Sequence, residues 1–119
     1  MSRKNQDIQT QLTKGLLDII ILQLLKTHPM YGYEIITKIR KSFGVYFGPS
    51  TIYPRLNAME KKNHIKSEWD MNSDRAKKIY ELTKDGKAML DSTSSSLKAI
   101  CKTMGTDNTE TPNTSSKQN

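Results

Sequence analysis

A chain of 119 residues is long enough for one domain and too short for two. Nineteen Lys and Arg against twelve Asp and Glu give a net charge of +7, and only 34% of residues are hydrophobic, so the core is small and gains from a partner subunit. One Cys excludes a disulfide framework and a cysteine zinc site, and the longest apolar run, Leu16 to Leu25, is interrupted by Asp18 and Gln23 and too short to span a bilayer.

Residues 1–7 carry charge but no signal-peptide core, and read as a flexible polar arm of a cytoplasmic protein. The apolar positions then run Ile8, Leu12, Leu16, Leu17, Ile19 to Leu22, Leu24 and Leu25, which predicts a helix from about residue 8 or 10 to 27. Pro29 ends it by disfavouring helical geometry at His28. The second half of this helix is apolar on nearly every face, so part of it needs a cover, and in so short a chain a second subunit is the expected one. Ile35, Ile36, Ile39 and Phe43 form one stripe of a second helix at about 32–43, with Gly44 suited to a left-handed stop.

After the turn Val45-Tyr46-Phe47-Gly48-Pro49, a third helix opens with Ser50 or Thr51 as its cap and Pro54 in or beside its first turn. Ile52, Leu56 and Met59 face inward, whereas Tyr53, Arg55 and Asn57 lean off that stripe. The period changes at Ile65, where Ile65, Ser67 and Trp69 alternate with Lys66, Glu68 and Asp70. The cluster 71–75 makes a turn and 76–82 a second strand, so a hairpin follows the third helix. A fourth helix begins behind Thr83, its seam made by Leu90, Leu97, Cys101 and Met104. Residues 105–119 hold no aliphatic or aromatic side chain and should stay disordered.

The charge has a location. Ten basic residues against four acids between Lys38 and Lys78 account for six of the seven net charges. Three helices, a basic hairpin and a fourth helix are the parts of a winged helix-turn-helix module, mainly α with a small β-hairpin and a C-terminal dimerisation helix. The expected boundaries are a winged helix over 8–83, a dimerisation helix over 84–104 and the tail. In such a module the third helix enters the major groove of double-stranded DNA. Arg55 would pair with guanine edges and Asn57 with adenine, while Ser50, Thr51 and Tyr53 would meet phosphates or bases. Arg75, Lys77 and Lys78 on the hairpin would reach the flanking backbone or minor groove, and Lys38, Arg40 and Lys41 would position the protein on phosphates. The expected dimer contacts are Leu16, Ile20, Leu24, Leu90, Leu97, Cys101 and Met104.

Other readings weigh less. Tyr31, Tyr33 and Tyr46 are expected to pack, Trp69 to support the core or hairpin, and Cys101 to be an inert thiol. His28 and His64 have no Cys or carboxylate at metal spacing, so no metal or cofactor is expected. No Gly-rich phosphate loop, nucleophile elbow or carboxylate pair points to an enzyme. The alternative to an operator-binding protein is a winged helix used for protein or RNA contacts without operator specificity, which predicts duplex binding insensitive to salt.

Several segments carry a resemblance: Gly15-Leu16-Leu17 with the apolar run after it, Pro29-Met30-Tyr31-Gly32-Tyr33-Glu34-Ile35, Ser50-Thr51-Ile52-Tyr53-Pro54-Arg55-Leu56, Met59-Glu60-Lys61, and the stretch from Arg75 to Gly86. In this order and spacing they resemble the PadR-type transcriptional regulators. The resemblance implies a homodimer built from the first and last helices, binding to a palindromic operator, and repression released by a small molecule of unknown identity. One branch of that family stacks flat drugs between Trp side chains of the last helix; the fourth helix here has no aromatic residue, so no ligand residue is carried over.

Overall fold

The computed structural model describes residues 3–72 and 74–105. Its elements are α1 (Arg3–Gly15), α2 (Leu17–Thr27), β1 (Met30–Tyr31), α3 (Gly32–Phe43), α4 (Pro49–Lys61), β2 (Ile65–Asp70), β3 (Lys77–Leu82) and α5 (Lys84–Thr103). The tail beyond Gly105, the first two residues of the expected arm and Ser73 of the turn lie outside the described residues.

The start of the chain departs from expectation twice. Residues 3–7 are helical rather than a loose arm, and the expected first helix is two helices that part at Leu16. Leu16 sits at φ −105°, ψ 10°, and its N–H is shared between the carbonyls of Leu12 (3.2 Å) and Thr13 (3.1 Å). The neighbouring Gly15 disfavours a helix interior by about 1 kcal/mol relative to Ala, which makes this the cheap place to break. Gln9 Nε2 then donates to the carbonyl of Phe43 (2.7 Å), tying α1 to the end of α3.

The core is built around α2. Leu17, Ile21, Leu22 and Leu25 are buried against Ile35 and Ile39 of α3, Ile52, Leu56 and Met59 of α4, Ile65 and Tyr80 of the sheet, and Leu90 of α5. Burial of each such aliphatic side chain contributes about 1.5–3 kcal/mol. The chain therefore covers most of α2 itself, and a second subunit is not needed for that part.

Local signals set the helix ends. Gly44 adopts the left-handed conformation (φ 70°) and donates its N–H to the Arg40 carbonyl (2.9 Å), ending α3 as expected. The Tyr31 N–H donates to Glu34 Oε1 (2.9 Å) at the opposite end. Thr83 caps α5 by accepting from the Gly86 N–H (2.9 Å). The third expected helix, α4, opens two or three residues earlier than its expected cap at Ser50 or Thr51 implies. Its cap is Gly48 with no side-chain bond, Pro49 takes the first helical position, and Pro54 falls inside the helix. Pro54 has no N–H to offer the carbonyl of Ser50, which leaves that acceptor on the exposed side of α4.

The hairpin forms with Ile65 opposite Leu82 and Asp70 opposite Lys77. A third strand was not foreseen: β1 pairs antiparallel with β3, Met30 opposite Tyr80 and Tyr31 opposite Ile79, so the sheet order is β1-β3-β2. This pairing matters for function because it draws the start of α3 up to the hairpin. Ser67 Oγ donates to Glu60 Oε2 (2.6 Å), holding β2 to α4.

Candidate nucleic-acid interface

The two flanks of α4 face different surroundings. Thr51 and Arg55, one helical turn apart, look toward α1 and α2, where with Lys14, Gly15, Leu17 and Asp18 they line a hollow of about 290 Å³. Arg55 is not free to meet a guanine edge there. Its Nε donates to Asp18 Oδ1 (2.9 Å) and its Nη2 to Asp18 Oδ2 (2.6 Å), a two-pronged ion pair. The carboxylate raises the guanidinium pKa further through that hydrogen bond and through charge. Both side chains are about two-fifths exposed, so solvent weakens the pair.

Tyr53 and Asn57 lie on the other flank and face the hairpin. With Tyr31, Gly32 and Tyr33 from the start of α3, and Trp69, Ala76, Lys77, Lys78 and Tyr80 from the hairpin, they line an open cavity of about 350 Å³. Gly32 permits this arrangement: a Cβ there would come within 2.3 Å of the Tyr53 hydroxyl oxygen, so only a glycine lets that ring lie against α3. The Tyr53 hydroxyl end thus rests on α3. Tyr31 and Tyr33 stack with centroids 5.6 Å apart and planes 6° from parallel. Lys77 Nζ stands over both rings, 5.5 Å from Tyr31 and 5.2 Å from Tyr33. Lys78 Nζ stands 5.4 Å over Trp69, its partner across the hairpin.

Lys77 and Lys78, adjacent on one strand, both line the cavity. Of the two places expected for Trp69, core or hairpin, the structure gives the hairpin, with the ring 60% exposed. Tyr33, expected to pack, is 52% exposed. The Tyr31 hydroxyl donates to an Asp70 carboxylate oxygen, and Asp70 also accepts from the Asn72 N–H (3.0 Å). The bond to Tyr31 is the main reason the Asp70 pKa is lowered and that of Tyr31 raised. Burial raises the Tyr80 pKa at the cavity floor.

The remaining predicted contacts spread outward from this cavity. Ser50 is exposed at the start of α4, and Arg75 is exposed in the turn between β2 and β3. Lys38 and Lys41 are exposed on α3 and share with Tyr33 a second hollow of about 210 Å³. Asp18, Tyr31, Tyr33 and Trp69 were missed as site residues. The pairing of Trp69 with Lys78 was open to inference from hairpin register, whereas the approach of Tyr31 and Tyr33 depends on β1, which is too short to leave a pattern.

The opposite edge is apolar. Leu16, Ile19, Ile20, Gln23, Leu24, Ser42, Phe43 and Leu97 line a groove of about 370 Å³. Among the expected dimer residues, Leu16 and Met104 are exposed and Leu24, Leu97 and Cys101 are half-buried. One is corrected: Leu90, 1% exposed, belongs to the core of a single chain, whereas Ile20, 8% exposed, lines the groove. Ile8, Leu12 and Ile100 are exposed and were left out of that set. Among the described residues, no helix is long and apolar enough to cross a membrane.

Helices packed around a three-stranded sheet, with a hairpin flanking an exposed helix, define a winged helix, a DNA-binding fold. The model of the PadR-like family of transcriptional regulators matches residues 21–92, and the chain belongs to that family. A protein of Lysinibacillus sphaericus is 35% identical over 86 residues, covering 70% of this chain and 79% of its own. A PadR family transcription regulator of Clostridium difficile superposes with TM-score 0.69 at 34% identity, covering 76% of this chain and 95% of its own. A PadR family transcriptional regulator of Eggerthella lenta superposes with TM-score 0.74 at 26% identity over 84% of each chain.

Proposed function

We propose that this chain is a homodimeric repressor that binds a palindromic operator in double-stranded DNA, with α4 in the major groove and the β2–β3 wing beside it. The observation that carries the reading is the convergence on one cavity of α4, the start of α3 and two lysines of the wing. Asn57 is the base reader on the open flank of α4, Ser50, Thr51 and Tyr53 contact the backbone, and Arg75, Lys38 and Lys41 extend the phosphate contacts. Arg55 reaches a base only when it leaves Asp18. Release by a small molecule is the family's habit and completes the reading.

Dimer formation is supported by the apolar edge. Ile8, Leu12 and Leu16 recur every four residues along α1 and the break after it, and Leu97, Ile100 and Met104 continue the apolar surface along α5 and its C-cap. A second copy covering this edge presents two α4 helices to one face of the duplex, and half-sites then lie about 34 Å apart, one helical turn. Footprinting on the DNA upstream of its own gene tests the reading. Two protected half-sites one turn apart support it; uniform or absent protection contradicts it. Leu24→Glu, at the groove, should turn the sedimenting species from dimer to monomer.

A further inference from the structure

Four of the five Tyr residues and the single Trp line the cavity of about 350 Å³ between α4 and the wing. Contact with a duplex backbone does not call for such a wall, since phosphates are met by cations, hydroxyls and N–H groups. Nor does the core call for it: Trp69 is 60% and Tyr33 52% exposed, and aromatic surface of that kind is where a flat ligand packs. Two cations stand among the rings, Lys77 at Tyr31 and Tyr33 and Lys78 at Trp69. A ring holds an ammonium group through its quadrupole and leaves the charge in place. Asp70 attracts Lys77 across the hairpin, yet among the described residues neither lysine makes an ion pair with a carboxylate. On the α4 wall, the Asn57 amide adds a donor and an acceptor side by side.

Flat aromatic surface, paired ammonium groups and an amide match the three parts of a nucleotide: base face, phosphate and base edge. Inside a duplex the base faces are stacked on one another and do not reach Trp69 or Tyr33, so only an unpaired nucleotide uses all three at once. A single strand is tracked by a basic groove that spans several nucleotides. This cavity, about 350 Å³, falls instead in the size range of small-molecule sites. We propose that it binds a free nucleoside monophosphate, with the base on the exposed rings of Trp69 and Tyr33, the phosphate at Lys77 and Lys78 and the base edge at Asn57. Adenine suits it best, because an Asn amide pairs with the amino and ring-nitrogen edge of adenine in two hydrogen bonds. A nucleotide so placed covers Asn57 and both wing lysines, so nucleotide and duplex exclude each other. The inference rests on the DNA-binding reading for that exclusion, and deepens it by giving the release step a ligand class and a place. Tyr31, whose hydroxyl donates to Asp70, is a positioning residue under Lys77.

Trp69 is the only Trp in the chain, so its indole N–H gives one signal in a proton–nitrogen NMR spectrum and reports on the cavity. The full chain is titrated with adenosine monophosphate (AMP) at constant ionic strength. The expected result is a saturable shift of that signal. Adenosine, which lacks the phosphate, and ribose 5-phosphate, which lacks the base, should each bind about tenfold more weakly or worse. Tyr33→Ala and Lys78→Gln should each weaken AMP binding about three- to tenfold, and thermal melting of each variant separates loss of the site from loss of the fold. In a second arm, AMP should displace a labelled duplex taken from upstream of the protein's own gene. A Trp69 signal unmoved by millimolar AMP, or moved equally well by ribose 5-phosphate, overturns the site, and duplex that still binds leaves the DNA reading in place. AMP and duplex bound together without competition overturn the proposal too, as does a single strand of about eight deoxyadenosines that moves the signal where AMP does not. A shift with AMP in a chain that binds no duplex keeps the site and removes the DNA reading.

Discussion

Arg55 and the pair Lys77 and Lys78 sit on opposite flanks of the same helix, α4, and each is pinned, but by different physics. Arg55 is held by the Asp18 carboxylate, which neutralises it. The lysines are held by aromatic faces, which do not, with the Asp70 carboxylate opposite Lys77 attracting it without an ion-pair contact. An ion pair turns a cation into a strut between helices; a ring turns it into a fixed charge still available to an anion. A count of basic residues treats the three alike, yet only one flank of α4 keeps its charge for a partner.

Removing both lysines breaks the comparison most sharply. Lys77→Gln with Lys78→Gln should lower the salt slope by about 1.8 per bound subunit and weaken duplex binding more than tenfold at moderate salt. Fluorescence anisotropy across a salt series measures both. The next largest effect is on the rings' support. Gly32→Ala forces Tyr53 off α3, and the overpacking should cost about 1–3 kcal/mol of stability by denaturant unfolding. Gly15→Ala, whose added Cβ meets nothing within 4 Å, should instead stabilise by about 0.4–1 kcal/mol.

The other flank responds less. Asp18→Asn should reduce stability by about 0.2–1 kcal/mol, since the pair is partly exposed. The same change frees Arg55 and removes a negative charge beside α4, so duplex affinity should rise by a few-fold. Arg55→Ala in the Asp18→Asn background should then cancel the gain. The smallest effect is that of pH. The Asp70 pKa is lowered in the folded chain, so its contribution is complete above the ordinary carboxylate range and is lost as pH falls through the folded value. Tyr31→Phe should lower stability slightly near pH 7, flatten that acid limb in thermal melts and leave stability at the acid end almost unchanged.

How much of this was legible in the sequence follows from the reach of each signal. The stripe Ile35, Ile36, Ile39 and the stop at Gly44 delimit α3 because both act within one or two turns. The switch from period 3.6 to period 2 at Ile65 marks the wing for the same reason. β1 left no trace, because two residues carry no period, and with it went the approach of Tyr31 and Tyr33 to Lys77. The Arg55–Asp18 pair joins residues 37 apart, beyond any local pattern. Ile20 and Leu24 look equivalent as apolar residues of one helix; only the packing of α2 shows one as the groove's floor and the other as its wall.

In the proposed function, the ring-held lysines beside α4 engage the backbone of duplex DNA. The most direct test is the salt dependence of binding to a duplex taken from upstream of its own gene. The account predicts log affinity falling linearly with log salt, with a slope of at least about −0.9 for each lysine that meets a phosphate. A flat dependence would contradict it and would favour a winged helix that contacts protein instead.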